Sequence, residues 1–168
     1  LYSLISLLTV PLIYRIVRRI AGDTAALLSA GGWALAYGVA LYAICGADTP
    51  VTALLTAWAV DFFLRNIRLV ETPRLRSYAV LGLICGLCIY SRMDTLLLLP
   101  AFGLQIAWAN RRRLFWDGIR RIAAAGVVMA AAVAVSTAPF FLRNVLSYKS
   151  FEVHNAASNR TLSIVMGH

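Results

Sequence analysis

The chain alternates between long apolar blocks and short basic runs, a pattern that predicts membrane helices joined by charged turns. Leu1–Ile13 is apolar and interrupted by Pro11, which neighbouring helices in a membrane can accommodate. Tyr14–Arg19 closes it with three arginines. In Ala21-Gly22-Asp23-Thr24, Asp23 or Thr24 is placed to cap the next helix, so residues 14–24 are expected to form a loop. Ala25–Cys45 predicts a full span, rich in Gly and Ala and broken by Gly46–Pro50. Thr49 can then cap, and Pro50 can take the first position, of a helix over Val51–Leu64 that carries Asp61 near its far end. Arg65–Arg76 is polar and basic and reads as a loop. An apolar block over 78–108 and a basic segment over Asn110–Arg121 follow, and in the latter Phe115 and Trp116 suit an interfacial turn. Ile122–Leu142 is the last span, and Arg143–His168 is polar enough to leave the bilayer. The expected fold is an all-α, polytopic transmembrane helical bundle of about five full spans plus one partial span. Residues 1–142 form its transmembrane core and 143–168 an outward-facing segment.

The block over 78–108 is too long for one comfortable span and too short for two, since one crossing takes about 20 residues. It predicts a hairpin of two short helices, each reaching about 20–23 Å at about 1.5 Å per residue. The bend, Ser91-Arg92-Met93-Asp94, would then lie below the membrane surface among other helices. Ionisable residues at that depth are costly and mark sites, whereas the plainer reading is a headgroup-level loop.

Composition strengthens the membrane reading and narrows the partners. The 168 residues are 61% hydrophobic and 14% charged, with a mean hydropathy of +0.76, and a soluble domain would expose large apolar patches at that balance. The net charge of +9 does not point to nucleic acid, because the basic residues sit in short runs between apolar spans and no recognition motif accompanies them. Loops at 14–24, 65–76 and 110–121 hold twelve of the sixteen Lys and Arg residues. The other side holds Arg92, Arg143, Lys149 and Arg160. Positive charge collects on the cytoplasmic side, so Asp48, the Arg92–Asp94 bend and the C-terminal stretch face outward. Cys85 and Cys88 have CxxC spacing inside an apolar helix and read as small packing residues. The chain opens inside an apolar run without an initiator Met, so it is expected to be an internal piece of a longer protein.

Candidate chemistry therefore gathers on the outer face, at Asp48, Arg92, Asp94, Arg143, Lys149, Glu152 and His154. A carboxylate beside arginines in a membrane suits a phosphate-bearing lipid, because Arg binds phosphate through paired charge-assisted hydrogen bonds. The carboxylate can serve as a general base or hold a divalent metal, the one cofactor the pattern leaves open. Plainer roles compete with these. Asp48 can cap the Pro50 helix, Lys149 and Glu152 can be loop charges, and His154 can be a surface residue. Gly82-Leu83-Ile84-Cys85-Gly86 is a GxxxG pattern that predicts close packing of this helix against another span. No Walker loop, GxSxG or HExxH pattern occurs.

The order of these segments resembles a known group. It runs Gly46-Ala47-Asp48-Thr49-Pro50, Leu64-Arg65, Gly82–Asp94, Leu99-Pro100 and Ala138-Pro139-Phe140-Phe141-Leu142-Arg143-Asn144. It is similar to polytopic glycosyltransferases with the C-type membrane fold, the protein O-mannosyltransferase and lipid A aminoarabinose transferase superfamily. That resemblance implies transfer of a sugar from a polyprenyl-phosphate-linked donor to a lipid, glycan or protein acceptor on the outer face. It implies a supporting active-site acid at Asp48 and a donor-phosphate arginine at Arg92. Arg143 matches a further arginine, and Asp94 and His154 are candidate supporting residues. The family's catalytic carboxylate is expected upstream of Leu1, so this stretch alone is expected to be inactive. The setting it implies is a multi-pass protein of a bacterial inner or plasma membrane. The competing reading is a membrane transporter or lipid-linked oligosaccharide flippase, for which charges near the midplane and inverted repeats would be the sign. A membrane scaffold would leave the outer-face charges without a purpose.

Overall fold

The structure, a computed structural model, describes residues 2–36, 39, 49–70, 73–110 and 116–148. Its described residues form α1 (Tyr2–Ala21), α2 (Asp23–Leu35), α3 (Thr49–Phe63), α4 (Leu75–Ser91), α5 (Leu98–Asn110) and α6 (Trp116–Tyr148). A π-helical turn, Leu64–Arg68, extends α3, and a 3-10 turn, Met93–Leu97, leads into α5. The all-helical expectation holds over these residues. Many large apolar side chains point outward, among them Leu4, Leu28, Leu104, Val127 and Leu142, which in water would be untenable and in lipid is the matched exterior. Among the described residues one helix, Gly118–Arg143 within α6, is long and apolar enough to cross a membrane by length and composition. α4 and α5 are shorter apolar helices, as the hairpin reading requires.

Several segments expected to be loops are helical. α1 runs straight through Pro11 and on past Arg15, Arg18 and Arg19, so the loop expected over 14–24 shrinks to Gly22. Gly22 adopts φ 87°, ψ 177°, a region open essentially to glycine, and α2 begins at the next residue. Asp23 and Thr24 are therefore not the cap. The Asp23 carboxylate instead meets Arg18 Nε at 2.8 Å and accepts a hydrogen bond from Tyr14 Oη at 2.9 Å. The expected span Ala25–Cys45 also departs from prediction: α2 ends at Leu35, and Ala36 is extended. Pro50 falls in the first turn of α3, but as its second residue, because Thr49, expected to be the cap, is itself the first helical residue. The loop expected to begin at Arg65 starts later, because the π turn carries the helix to Arg68 and closes with Leu69 N–H donating to Leu64 O at 3.2 Å. Trp116 begins α6 rather than lying in a separate interfacial turn, and α6 continues through Arg143 to Tyr148.

α4 is the central helix, lying against α3 on one side and α6 on the other. Its main partner is α6, with which it runs parallel: Gly82 faces Met129 and Ala132, Gly86 faces Val133 and Ser136, and Tyr90 faces Phe140. The GxxxG expectation is met here. A Cβ on Gly82 would stand 2.5 Å from Met129 O, and one on Gly86 would overlap Ser136 Oγ. Lipid tails are as apolar as leucine, so helices in a membrane gain by close packing rather than by hydrophobic burial, and small residues permit it. The core joins Leu81, Ile84, Cys85 and Cys88 of α4 to Ala59 and Phe63 of α3 and to Ala125 and Met129 of α6. The two cysteines are buried free thiols. α5 returns alongside the end of α3, where Phe63 and Phe102 rings stand 4.8 Å apart and Arg68 Nη1 donates to Gln105 Oε1 at 2.8 Å.

Candidate functional site

Two charged clusters occupy opposite ends of the bundle. At the end holding the basic runs, Asp61 is buried at 3% exposure, and Arg19 Nη1 donates to its Oδ1 at 2.7 Å. Arg65 Nη1 stands 3.8 Å from Asp61 Oδ2, one helical turn further along the same chain direction. This carboxylate is held by two arginines and ties α1 to α3. Its pairing with Arg19, 42 residues away, had no signal in the sequence beyond a lone acid at a helix end.

The other end carries the bend. Arg92 is extended, at φ −152° and ψ 129°, which stops α4. Thr95 fixes the next turn by donating from both its hydroxyl (2.6 Å) and its amide (3.1 Å) to Arg92 O. The Arg92 guanidinium then forks onto its neighbour, with Nε to Asp94 Oδ1 at 3.2 Å and Nη2 to Oδ2 at 3.0 Å. Both side chains are about half exposed, at 46% and 61%. An ion pair of that exposure contributes about 0–1 kcal/mol, so the fold does not depend on it. The fork engages Nε and Nη2, and among the described residues the guanidinium has no further partner, which leaves Nη1 available to another anion.

Arg92, Asp94 and Thr95 form one wall of a cleft of about 410 Å³. Thr49, Thr52 and Thr56, on one face of α3 with Ala53 and Ala57, form another; Thr9 and Ile13 of α1 and Trp33 of α2 complete it. Thr52 Oγ1 and Ser91 Oγ share a hydrogen bond at 2.6 Å, pinning the start of α3 to the end of α4 beside the bend. The spacing of Thr49, Thr52 and Thr56 by three and four residues was the available sign of this hydroxyl-bearing face. Thr9 and Trp33 gave no such sign, since they reach the cleft from other helices.

Of the expected site residues, Arg92 and Asp94 come together on the cleft. Asp48 lies outside the described residues, next in sequence to the cleft residue Thr49. Arg143 is an exposed residue of α6, a turn beyond Phe140, which packs edge-on against Tyr90 at 5.4 Å; it is not among the cleft-lining residues. His154, Lys149 and Glu152 lie outside the described residues. Among the described residues no group of three or more His, Cys, Asp or Glu could hold a metal ion. Asp94, the carboxylate among the described cleft-lining residues, is engaged by Arg92.

The family model described as dolichyl-phosphate-mannose-protein mannosyltransferase matches residues 1–140. No curated protein and no solved structure matches the chain.

Proposed function

Because the chain belongs to the dolichyl-phosphate-mannose-protein mannosyltransferase family, a family of integral membrane glycosyltransferases, we propose that its cleft receives the head of a polyprenyl-phosphate-linked sugar. The observation that carries this reading is the Arg92–Asp94 fork, half-exposed at the wall of a hydroxyl-lined cleft of about 410 Å³. In the transfer, a base takes the proton of an acceptor hydroxyl, and its oxygen attacks the anomeric carbon. The bond from that carbon to the phosphate oxygen breaks, and the polyprenyl phosphate leaves with the electron pair. Arg92 meets the charge that grows on the leaving phosphate, while Asp94 holds the guanidinium in one orientation. Asp48, adjacent to Thr49, supplies a supporting acid; Arg143 is a second phosphate partner and His154 a supporting residue from the segment that follows α6. The acceptor is a lipid, glycan or protein on the outer face.

The topology that serves this chemistry has about five full spans and one partial span, with residues 1–142 in the membrane and 143–168 on the outer side. Twelve of sixteen basic residues then lie on the cytoplasmic side of a bacterial inner or plasma membrane. The test is transfer from a polyprenyl-phosphate sugar by membranes carrying full-length Arg92→Ala. A fall of about 10²–10³-fold is expected if Arg92 stabilises the departing phosphate, with Asp48→Asn also impaired. Undiminished transfer by Arg92→Ala removes it from the donor site.

A further inference from the structure

We infer that Trp33 is a further ligand-binding residue of this cleft, its indole N–H donating to an oxygen of the sugar-phosphate head; this rests on the reading of the cleft as the donor site. Trp33 lines the cleft, and its Nε1 is buried without a hydrogen-bond partner among the described residues. The indole nitrogen is a donor only, so what completes it must be an acceptor. Leaving a buried donor unpaired is unfavourable, so an indole N–H in that state at the wall of a cleft is suited to an acceptor that enters the cleft.

The neighbouring hydroxyls differ in this respect. Thr9 Oγ1 donates to Ile5 O at 3.1 Å, Thr95 Oγ1 donates to Arg92 O, and Thr52 shares its hydrogen bond with Ser91. Each of these is already engaged within the protein. Ser6 Oγ is likewise buried and unpartnered, but Ser6 does not line the cleft. Trp33 is thus the cleft's uncommitted buried donor among the described residues. Tryptophan suits the task, because its ring packs against apolar neighbours while its N–H points a single hydrogen bond at a polar group. Trp33 lies near the C-terminal end of α2 and lines the same cleft of about 410 Å³ as Arg92, at the end of α4. Phosphate oxygens and sugar hydroxyls share the acceptor chemistry that the indole requires.

The experiment uses the full-length protein in lipid nanodiscs, with Trp33→Phe, Trp33→His and Arg92→Ala. Two quantities are measured for each: KM for the polyprenyl-phosphate sugar, and Kd for polyprenyl phosphate carrying no sugar. Trp33→Phe keeps an aromatic ring and removes the N–H, and its KM is expected to rise about tenfold, the loss of one hydrogen bond to a charged or strongly polar acceptor. Trp33→His restores a ring N–H and is expected to recover part of that loss. A matching rise in Kd for the bare phosphate assigns the bond to a phosphate oxygen; an unchanged Kd with a raised KM assigns it to the sugar. Unchanged KM and Kd in Trp33→Phe, with Arg92→Ala impaired, overturn the inference and leave the donor-site reading standing. Equal losses in the Phe and His variants overturn it too, because they mark a packing role. If Arg92→Ala is also without effect, the reading of the cleft falls with it.

Discussion

Replacing Gly82 by alanine should loosen the α4–α6 contact, whereas the same change at Gly103 should not. Both glycines lie inside helices, so each variant gains the same intrinsic helix preference of about 0.5–1 kcal/mol. They differ in what the new methyl meets. At Gly103 nothing lies within 4 Å. At Gly82 the Cβ would stand 2.5 Å from Met129 O and 2.8 Å from Ala132 Cβ. The carbonyl belongs to the α6 backbone and cannot rotate aside. Reaching a 3.4 Å contact requires the helices to part by about 0.9 Å, which forfeits dispersion contacts along the whole seam. Overpacking of this kind costs about 1–3 kcal/mol, so Gly82→Ala is expected to be less stable than Gly103→Ala by about that amount. Reversible unfolding in mixed lipid–detergent micelles measures the difference, and equal stability of the two variants would refute the packing argument. Gly86 supplies an internal check. Its new Cβ would overlap Ser136 Oγ and approach Ser136 Cβ to 2.8 Å, while Val133 O remains at an ordinary 3.4 Å. Ser136→Gly removes both offending atoms, so the double variant should recover about 0.5–3 kcal/mol relative to the sum of the singles. Strict additivity would contradict the geometry.

Other consequences can be read with the same unfolding measurement. Arg19→Ala strips the closer partner from buried Asp61 and leaves Arg65 at 3.8 Å, so it should cost about 3 kcal/mol; Arg18→Ala breaks the exposed pair with Asp23 and a contact with the Tyr14 ring and should cost about 1 kcal/mol or less. Equal effects would mean that Asp61 does not depend on Arg19. Gly22→Ala and Gly22→Asn should each cost about 1–3 kcal/mol, because φ 87° with ψ 177° excludes both although open space surrounds the position. A neutral asparagine variant would show that the turn relaxes to an ordinary left-handed conformation.

Much of the helical layout was legible because membrane helices announce themselves by unbroken apolar length, and the Pro50 start, the Arg92 bend and the Gly82–Gly86 contact all carried local signatures. What misled was charge. Arg15, Arg18 and Arg19 read as a loop because a run of arginines ends an apolar stretch, yet arginine is a good helix former and favours a helix C-terminus. Arg65 and Arg68 likewise prolong α3 as a π turn. Asp23 and Thr24 both have the residue type of a cap, but a glycine with φ 87° does the turning, which frees the Asp23 carboxylate to face back along α1. The cleft was half visible. The bend and the threonine face are local in sequence, whereas Trp33 and Thr9 join them only through packing of separate helices.

The two charged clusters show why an ionisable residue near a membrane needs its partners counted before it is given a task. Asp61 looks the more functional by burial, at 3% exposure in an apolar helix. Yet one of its oxygens takes a 2.7 Å bond from Arg19, and Arg65 stands near the other, so its charge is spent on joining α1 to α3. Arg92 looks the more ordinary, a half-exposed residue paired with a neighbour two positions away. That pair spans no helix interface and contributes little to stability, and among the described residues it leaves guanidinium N–H groups without a partner at the wall of a cleft that is also lined by Trp33, whose indole N–H is unpaired there. A cluster that stabilises the fold consumes its hydrogen bonds internally; a cluster that binds keeps some in reserve. By that criterion Asp61 is a tie between helices, and Arg92 is the residue with capacity for a ligand.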